Sequence, residues 1–118
     1  MKPSHLSAYF KFFELKQEIE QAINVNPCLD ANEMCLLEHI AVKDAANEAL
    51  TVVDVMRTSD IGSPATLHRR LAKLRQHGLV EVRCVAGDRR VKHLHLTSAS
   101  KNYFDLLNDA VLKVLKKA

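Results

Sequence analysis

The spacing of apolar residues predicts a long helix at each end of the chain. From Ser4 to Asn24 apolar residues recur every three or four positions, which is typical of an α-helix. They form two stripes, one of Leu6, Tyr9, Phe10 and Phe13 and one of Phe12, Leu15, Ile19, Ala22 and Ile23. Thr97 can cap a last helix of about twenty residues with the same spacing. Its apolar positions are Tyr103, Phe104, Leu107, Ala110, Val111, Val114 and Leu115.

Two capping boxes predict helix starts between these terminal helices. Asp30 is followed three residues later by Glu33, and Thr51 is followed at the same distance by Asp54. In a capping box the first side chain bonds the third helical N–H, and the third side chain bonds back. The pattern predicts one helix after Asp30 and a short helix of about two turns after Thr51.

A further helix is predicted between Ser63 and Gly78. Ser63 is a favoured N-cap, and Pro64 suits the first helical position because its missing N–H has no partner there. Gly78 suits the left-handed residue that ends a helix. Leu67, Leu71 and Leu74 give this helix its apolar side. Together with the short helix before it, the segment forms a helix-turn-helix candidate.

A β-hairpin is predicted directly after this helix. The valine-rich run from Leu79 to Ala86 suits a strand, Gly87-Asp88 suits a turn, and a second strand follows from Arg89 to Leu96. A helix-turn-helix followed by a hairpin is a winged helix. We therefore expect a mainly α fold with a small β-hairpin wing. It would be a single domain over 1–118, with a DNA-binding core at 30–97 between terminal helices at 1–29 and 98–118.

Charge is distributed unevenly along the chain. Residues 1–50 carry four lysines against eight acidic residues, whereas residues 51–118 carry thirteen basic against six acidic residues and include every arginine. Eight basic side chains fall within 67–95, against two acidic ones. Such concentration favours a polyanionic partner, most often nucleic acid, although a solvated basic face gives the same pattern.

The side chains expected to meet DNA lie on the third central helix and on the wing. With its leucines facing inward, that helix presents short hydroxyls that can bond phosphate and an Arg69 long enough to bond a guanine edge twice. The outward set is Ser63, Thr66, His68, Arg69, Arg70 and Lys73, and the wing adds Arg83, Arg89, Arg90 and Lys92. A structural helical hairpin with exposed arginines is the alternative.

The sequence resembles the MarR family of bacterial winged-helix transcriptional regulators. The resemblance covers roughly residues 30–105 and rests on Ser63-Pro64-Ala65-Thr66-Leu67-His68-Arg69-Arg70-Leu71, Leu74, Gly78-Leu79-Val80, Asp88-Arg89-Arg90 and Leu96-Thr97. It implies that Asp88 braces the wing by pairing with an arginine and that Arg90 is offered to DNA. It also implies that Thr66 and Arg69 lie at the groove.

Two departures from the family suggest a reduced dimerisation region. The chain is shorter than usual members, and Ser98-Ala99-Ser100-Lys101 replaces the glycine that commonly follows the Leu-Thr pair. All six aromatic residues nevertheless lie in the terminal helices, and interfaces favour aromatic residues. We expect a homodimer interface formed by Tyr9, Phe10, Phe12, Phe13, Tyr103, Phe104, Leu107 and Val111. Packing of these residues within one chain is the alternative.

Metal, redox and catalytic functions receive less support. His93 and His95 share a strand face and Cys84 could be a third metal ligand, but no further ligand is suitably spaced. Three cysteines, Cys28, Cys35 and Cys84, suggest reduced thiols rather than disulfides, and the acidic surroundings of Cys28 argue against a redox sensor. No phosphate loop or catalytic motif is present, so we expect neither an enzyme nor a cofactor.

The expected partners are double-stranded DNA and a second copy of the chain, with any small-molecule effector unknown. No apolar run reaches the length of a membrane span and no signal peptide is evident, so we expect a cytoplasmic protein without membrane contact. Two other functions remain open. The chain could be a replication or partition accessory of a mobile element, or a winged-helix module that binds another protein.

Overall fold

The computed structural model describes residues 3–23, 29–57, 62–85 and 87–117. Five helices and two strands are present within these ranges. They are α1 (Pro3–Ile23), α2 (Ala31–Ala45), α3 (Val52–Met56), α4 (Pro64–Gln76), β1 (Val80–Val85), β2 (Asp88–Leu96) and α5 (Ser98–Lys117). The order confirms the predicted winged helix-turn-helix with terminal helices. Cys28, Asp60 and Ile61 lie outside the described residues, as do the side chains of Asp88 and Arg89.

The helix starts follow the predicted caps. The N–H of Glu33 donates to Asp30 Oδ1 at 2.7 Å, and the N–H of Asp30 donates to Glu33 Oε1 at 2.8 Å, which completes the capping box of α2. Thr51 and Asp54 form the same reciprocal pair at the start of α3. These bonds satisfy N–H groups that have no partner inside a helix, so each box fixes where its helix begins.

Residues 28–100 form one compact unit around a core of leucines. Within it α2 packs on α4 and on β2, while α3 packs on α4 and β2, and α4 also meets β1. The fully or nearly buried side chains come from every element of the unit. They are Leu36, Leu37, Ile40, Ala41, Val55, Leu67, Leu71, Leu74, Leu79, Val80, Leu94 and Leu96. Burial of each larger side chain contributes ~1.5–3 kcal/mol, so this core positions α4 against the hairpin.

The hairpin is antiparallel and is extended by a short neighbouring segment. Val80 pairs with Leu96 and Val82 with Leu94, and the register shifts between Cys84 and Val85. On the other side of β2, the N–H of Leu94 donates to the carbonyl of Leu50 at 2.8 Å. Strand β2 is therefore held between β1 and the residues that precede α3.

Residues 1–27 and 101–118 form a second compact unit, which contains α1 and most of α5. Tyr103 is 1% exposed, and its hydroxyl donates to Glu20 Oε2 at 2.5 Å. Lys16 Nζ lies 2.9 Å from the same carboxylate. A buried tyrosine hydroxyl needs such a partner, so these contacts hold α5 to α1. That all 118 residues behave as a single domain stays a prediction.

Candidate nucleic-acid interface

The start of α4 is shaped by a cap and by a glycine. The Oγ of Ser63 accepts from the N–H of Thr66 at 3.3 Å and donates to Thr66 Oγ1 at 3.1 Å. Gly62 has a φ of 141°, and a Cβ there would lie 3.1 Å from both Thr66 Cγ2 and Arg70 Nη1. The guanidinium of Arg70 therefore lies close to Gly62, directly before the cap of α4.

The outward side of α4 differs from its inward side as predicted. Leu67, Leu71 and Leu74 are at most 4% exposed, whereas His68 and Arg69 are exposed and Arg70 is half-buried. Because the buried leucines face the core, the exposed side chains on the other side of the helix form a polar, cationic surface. Three cations of this helix were predicted to contact DNA, and of these Arg69 is exposed whereas Arg70 and Lys73 are half-buried.

Lys73 has a partner that the sequence did not indicate. Its Nζ lies 3.0 Å from Glu33 Oε1, and the side chain of Glu33 is only 8% exposed. The pair joins the first turn of α2 to the third turn of α4. Lys73 had been predicted only as a DNA-binding residue, and this prediction is not tested by the contact itself.

On the hairpin, Arg90 and Lys92 are exposed. Arg83, which was also predicted to contribute to the basic wing, forms an ion pair with Glu81. The brace predicted for Asp88 and the DNA contact predicted for Arg89 concern side chains outside the described part of the chain. Arg90 and Lys92 are thus the described wing cations on β2.

The two hairpin histidines do not converge with Cys84. Cys84 pairs with Lys92 and Arg83 pairs with His93, so alternation along the strand places Cys84 and His93 on opposite faces. His95 Nδ1 lies 2.9 Å from Asp44 Oδ1 instead. Within the described ranges, no group of three or more His, Cys, Asp or Glu side chains could hold a metal ion.

The pKa of the Asp54 carboxyl, at the start of α3, is shifted by its surroundings. The N–H of Thr51 donates to Asp54 Oδ2 at 3.0 Å. This bond, followed by the Thr51 side chain and the charge of Arg57, lowers the pKa of the Asp54 carboxyl from its usual value of 3.8. The carboxylate form is therefore stabilised at the start of α3, where its negative charge also interacts favourably with the helix dipole.

Similar folds occur in solved transcriptional regulators. A regulator from Thermotoga maritima has a TM-score of 0.59 and 13% identity, over 99% of this chain and 78% of that one. A MepR mutant from S. aureus, bound to an oligodeoxyribonucleotide, has a TM-score of 0.59 and 17% identity, over 99% and 81%. MarR has a TM-score of 0.54 and 16% identity, over 85% of this chain and 66% of MarR.

The sequence itself gives no such match, because no protein-family model and no curated protein matches the chain. No helix among the described residues is long and apolar enough to cross a membrane. The similarity to these regulators is thus one of fold, seen in the order of elements and in the superposition on the solved structures. The predicted resemblance is confirmed for the fold: this chain has the winged-helix fold of MarR-type regulators.

Proposed function

We propose that this chain is a sequence-specific, double-stranded-DNA-binding transcriptional regulator that acts as a homodimer, most simply as a repressor. The observation that carries the proposal is that one winged-helix fold presents an exposed cationic surface on α4 and exposed cations on the wing. The MepR mutant with the same fold is bound to an oligodeoxyribonucleotide. No cofactor or catalytic group is part of the proposal.

The proposed mechanism assigns a different task to each part of the surface. Helix α4 enters the major groove, where Arg69 can donate two bonds to a guanine edge and His68 lies beside it. The short side chains of Ser63 and Thr66 lie where phosphate can approach the helix start. Arg90 and Lys92 on the wing contact the backbone or the adjacent minor groove, and thereby add affinity without reading bases.

The proposed dimer uses apolar side chains that the chain does not cover itself. Tyr9, Phe10 and Phe13 of α1 are 64%, 57% and 42% exposed, and Val111 of α5 is 40% exposed. The predicted residues Phe12, Phe104 and Leu107 are half-buried and can contribute at the rim. Tyr103 is left out of the interface that we propose, because its side chain is already buried and bonded to Glu20.

Sequence prediction also missed part of this surface. Leu112 and Leu115 are 48% and 63% exposed, and with Val111 they occupy positions i, i+1 and i+4 of α5. The aromatic trio of α1 has the same spacing, and Tyr9 stacks on Phe13 with ring centroids 6.2 Å apart. Exposed apolar clusters of this kind mark interaction surfaces. A second copy is the partner that fits, since two half-sites are needed to select a genomic site.

The proposed function is tested by titrating duplex DNA at several salt concentrations. If a dimer neutralises ~6–10 phosphates, log K should fall with log salt with a slope of about −5 to −9. Binding should be tightest to a pseudo-palindrome with half-sites about 10 base pairs apart. A slope near zero would contradict DNA binding and favour a module that binds another protein. The position of the gene would distinguish a regulator from an accessory of a mobile element.

A further inference from the structure

We infer that Lys73 is a positioning residue, which sets the orientation of α4 through Glu33 rather than by contacting DNA. The inference rests on the proposed function and deepens it. It distinguishes Arg69, which contacts DNA, from Lys73, which orients the helix that carries Arg69. It also changes the role predicted for Lys73 from sequence, where its place on a cationic helix suggested a DNA contact.

Lys73 and the capping box of α2 share a single carboxylate oxygen of Glu33. Glu33 Oε1 accepts the N–H of Asp30 at 2.8 Å and lies 3.0 Å from Lys73 Nζ. The same oxygen thus closes the capping box of α2 and holds α4. The side chain of Glu33 is 8% exposed, while that of Lys73 is 35% exposed. A carboxylate so buried requires a compensating partner, and removal of one member of such a pair is costly.

The geometry of α4 connects this pair to the proposed base-reading residue. Lys73 follows Arg69 by four residues, and side chains at that spacing lie on the same side of a helix. Arg69, Lys73, Asp30 and Glu33 line the same groove between α2 and α4. The ion pair therefore restrains rotation of α4 at the face that carries Arg69. If Lys73 turned towards a phosphate, the buried Glu33 carboxylate would lose its cationic partner and keep only the N–H of Asp30.

The test uses the full chain and two duplexes. One duplex is selected from a random-sequence library by the unmodified protein, and the other is a mixed-sequence duplex of equal length. The variants are Lys73→Gln, Lys73→Arg and Glu33→Gln, with Lys92→Gln on the wing as the matched loss of an exposed cation. Glutamine at position 33 keeps an oxygen that can accept the N–H of Asp30, so Glu33→Gln removes the ion pair and leaves the cap.

Positioning predicts a loss of preference without a loss of phosphate contacts. Lys73→Gln should weaken binding to the selected duplex about tenfold, equivalent to 1.4 kcal/mol, and leave the mixed-sequence duplex almost unaffected. Its salt slope should stay unchanged, whereas Lys92→Gln, which removes two cations from the dimer, should make the slope shallower by about 2. Lys73→Arg, which keeps the charge, should restore preference.

Glu33→Gln gives the sharpest expectation because charge alone predicts the opposite result. Removal of an acid near DNA would strengthen attraction, but loss of the ion pair should weaken binding to the selected duplex as much as Lys73→Gln does. The double variant should lose no more than either single one, because residues that act as a pair are not additive.

The inference is overturned if Lys73→Gln makes the salt slope of the dimer shallower by about 2 and weakens binding to both duplexes alike, while Glu33→Gln tightens binding. That result would make Lys73 a phosphate contact and leave the proposed function intact. A slope near zero for the unmodified protein would overturn the proposed function and this role with it. Urea unfolding of the unmodified protein, Lys73→Gln, Glu33→Gln and the double variant would then still measure the coupling free energy of the ion pair.

Discussion

Asp44, in the last turn of α2, and His95, on β2, form a side-chain pair in which Oδ1 and Nδ1 lie 2.9 Å apart. The second carboxylate oxygen, Oδ2, accepts the N–H of Leu96 at 2.9 Å. One side chain therefore holds two consecutive residues of the strand. The end of β2 is fixed to α2 by hydrogen bonds as well as by the apolar contacts beneath it.

Asp44→Ala should destabilise the chain by about 1–3 kcal/mol, because the backbone N–H of Leu96 loses an acceptor in a partly buried place. Urea unfolding followed by circular dichroism measures the change. Glu48→Ala is the matched control. Glu48 pairs with Lys43 at 3.6 Å while 68% exposed, so its loss should cost below about 1 kcal/mol. Equal costs for the two variants would show that Asp44 is no anchor.

Ser100 anchors the first turn of α5 to the compact unit formed by residues 28–100. Its side chain is fully buried, and its Oγ donates to the carbonyl of Leu79 at 2.6 Å. Nearby, Thr97 Oγ1 donates to the carbonyl of Gly78 at 2.6 Å. The residues that follow the end of α4 are thus bonded to two hydroxyls at the start of α5.

Ser100→Ala should lower the free energy of unfolding by about 0.5–1.5 kcal/mol through loss of this hydrogen bond. The exposed Ser98 of the same turn serves as the comparison, and Ser98→Ala should change stability by less than about 0.5 kcal/mol. Thermal unfolding of the two variants in parallel measures the difference. A reversed order would mean that the Leu79 carbonyl gains little from the buried hydroxyl.

Gly62→Ala should be more damaging than Gly78→Ala, although both glycines have positive φ. At Gly78, with φ of 70°, a Cβ would meet nothing within 4 Å, so the expected cost is the ~1–2 kcal/mol of left-handed backbone. At Gly62 the new Cβ would also press against Thr66 and Arg70 at 3.1 Å. Urea unfolding should rank the variants in that order, and DNA titration should show a further loss for Gly62→Ala only. Equal stabilities of the two variants would show that Thr66 and Arg70 do not pack closely against Gly62.

Asp54 should contribute to stability in a pH-dependent way. Its folded pKa lies below the usual 3.8, so its contribution is fully present above that value and is lost as pH falls through the folded pKa. Asp54→Asn should therefore destabilise the chain at pH 7, by up to about 1 kcal/mol, and the difference should shrink in acid. Denaturant unfolding at several pH values measures it. A difference that stays constant with pH would assign the effect to the hydrogen bond alone.

Local chemistry made much of the fold predictable. The caps at Asp30, Thr51 and Ser63 and the glycine at the end of α4 lie within a few residues of their partners, so sequence spacing was sufficient to locate them. The buried side of α4 was also predictable, because three leucines at helical spacing leave few alternatives.

Contacts between distant residues were beyond the same reasoning. Nothing near Asp44 in sequence indicates His95, and nothing near Lys73 indicates Glu33, because these pairs exist only after the helices pack. Tyr103 shows the other limit: helical spacing identifies an apolar position without telling which surface covers it. The aromatic residues predicted together therefore differ in exposure: Tyr103 is buried, Phe12 and Phe104 are half-buried, and Tyr9, Phe10 and Phe13 of α1 are exposed.

The exposed residues of α1 and α5 lead to the prediction about assembly. Phe10→Glu or Leu115→Glu should convert the proposed dimer into a monomer, because a carboxylate buried at an apolar interface has no partner. Sedimentation equilibrium at tens of micromolar measures the change. The monomer should keep weak, non-specific DNA affinity and lose site preference, since one recognition helix covers a single half-site.

The matched controls are Val42→Glu on α2 and Val53→Glu on α3. These valines are 66% and 56% exposed, which is comparable to Phe10 and Leu115 at 57% and 63%, yet they belong to the other unit. If general surface apolarity caused association, all four variants would weaken it. If α1 and α5 form the interface, the valine variants should remain dimeric at the same concentration. An unmodified chain that sediments as a monomer would contradict the dimer and leave the aromatic cluster without a partner.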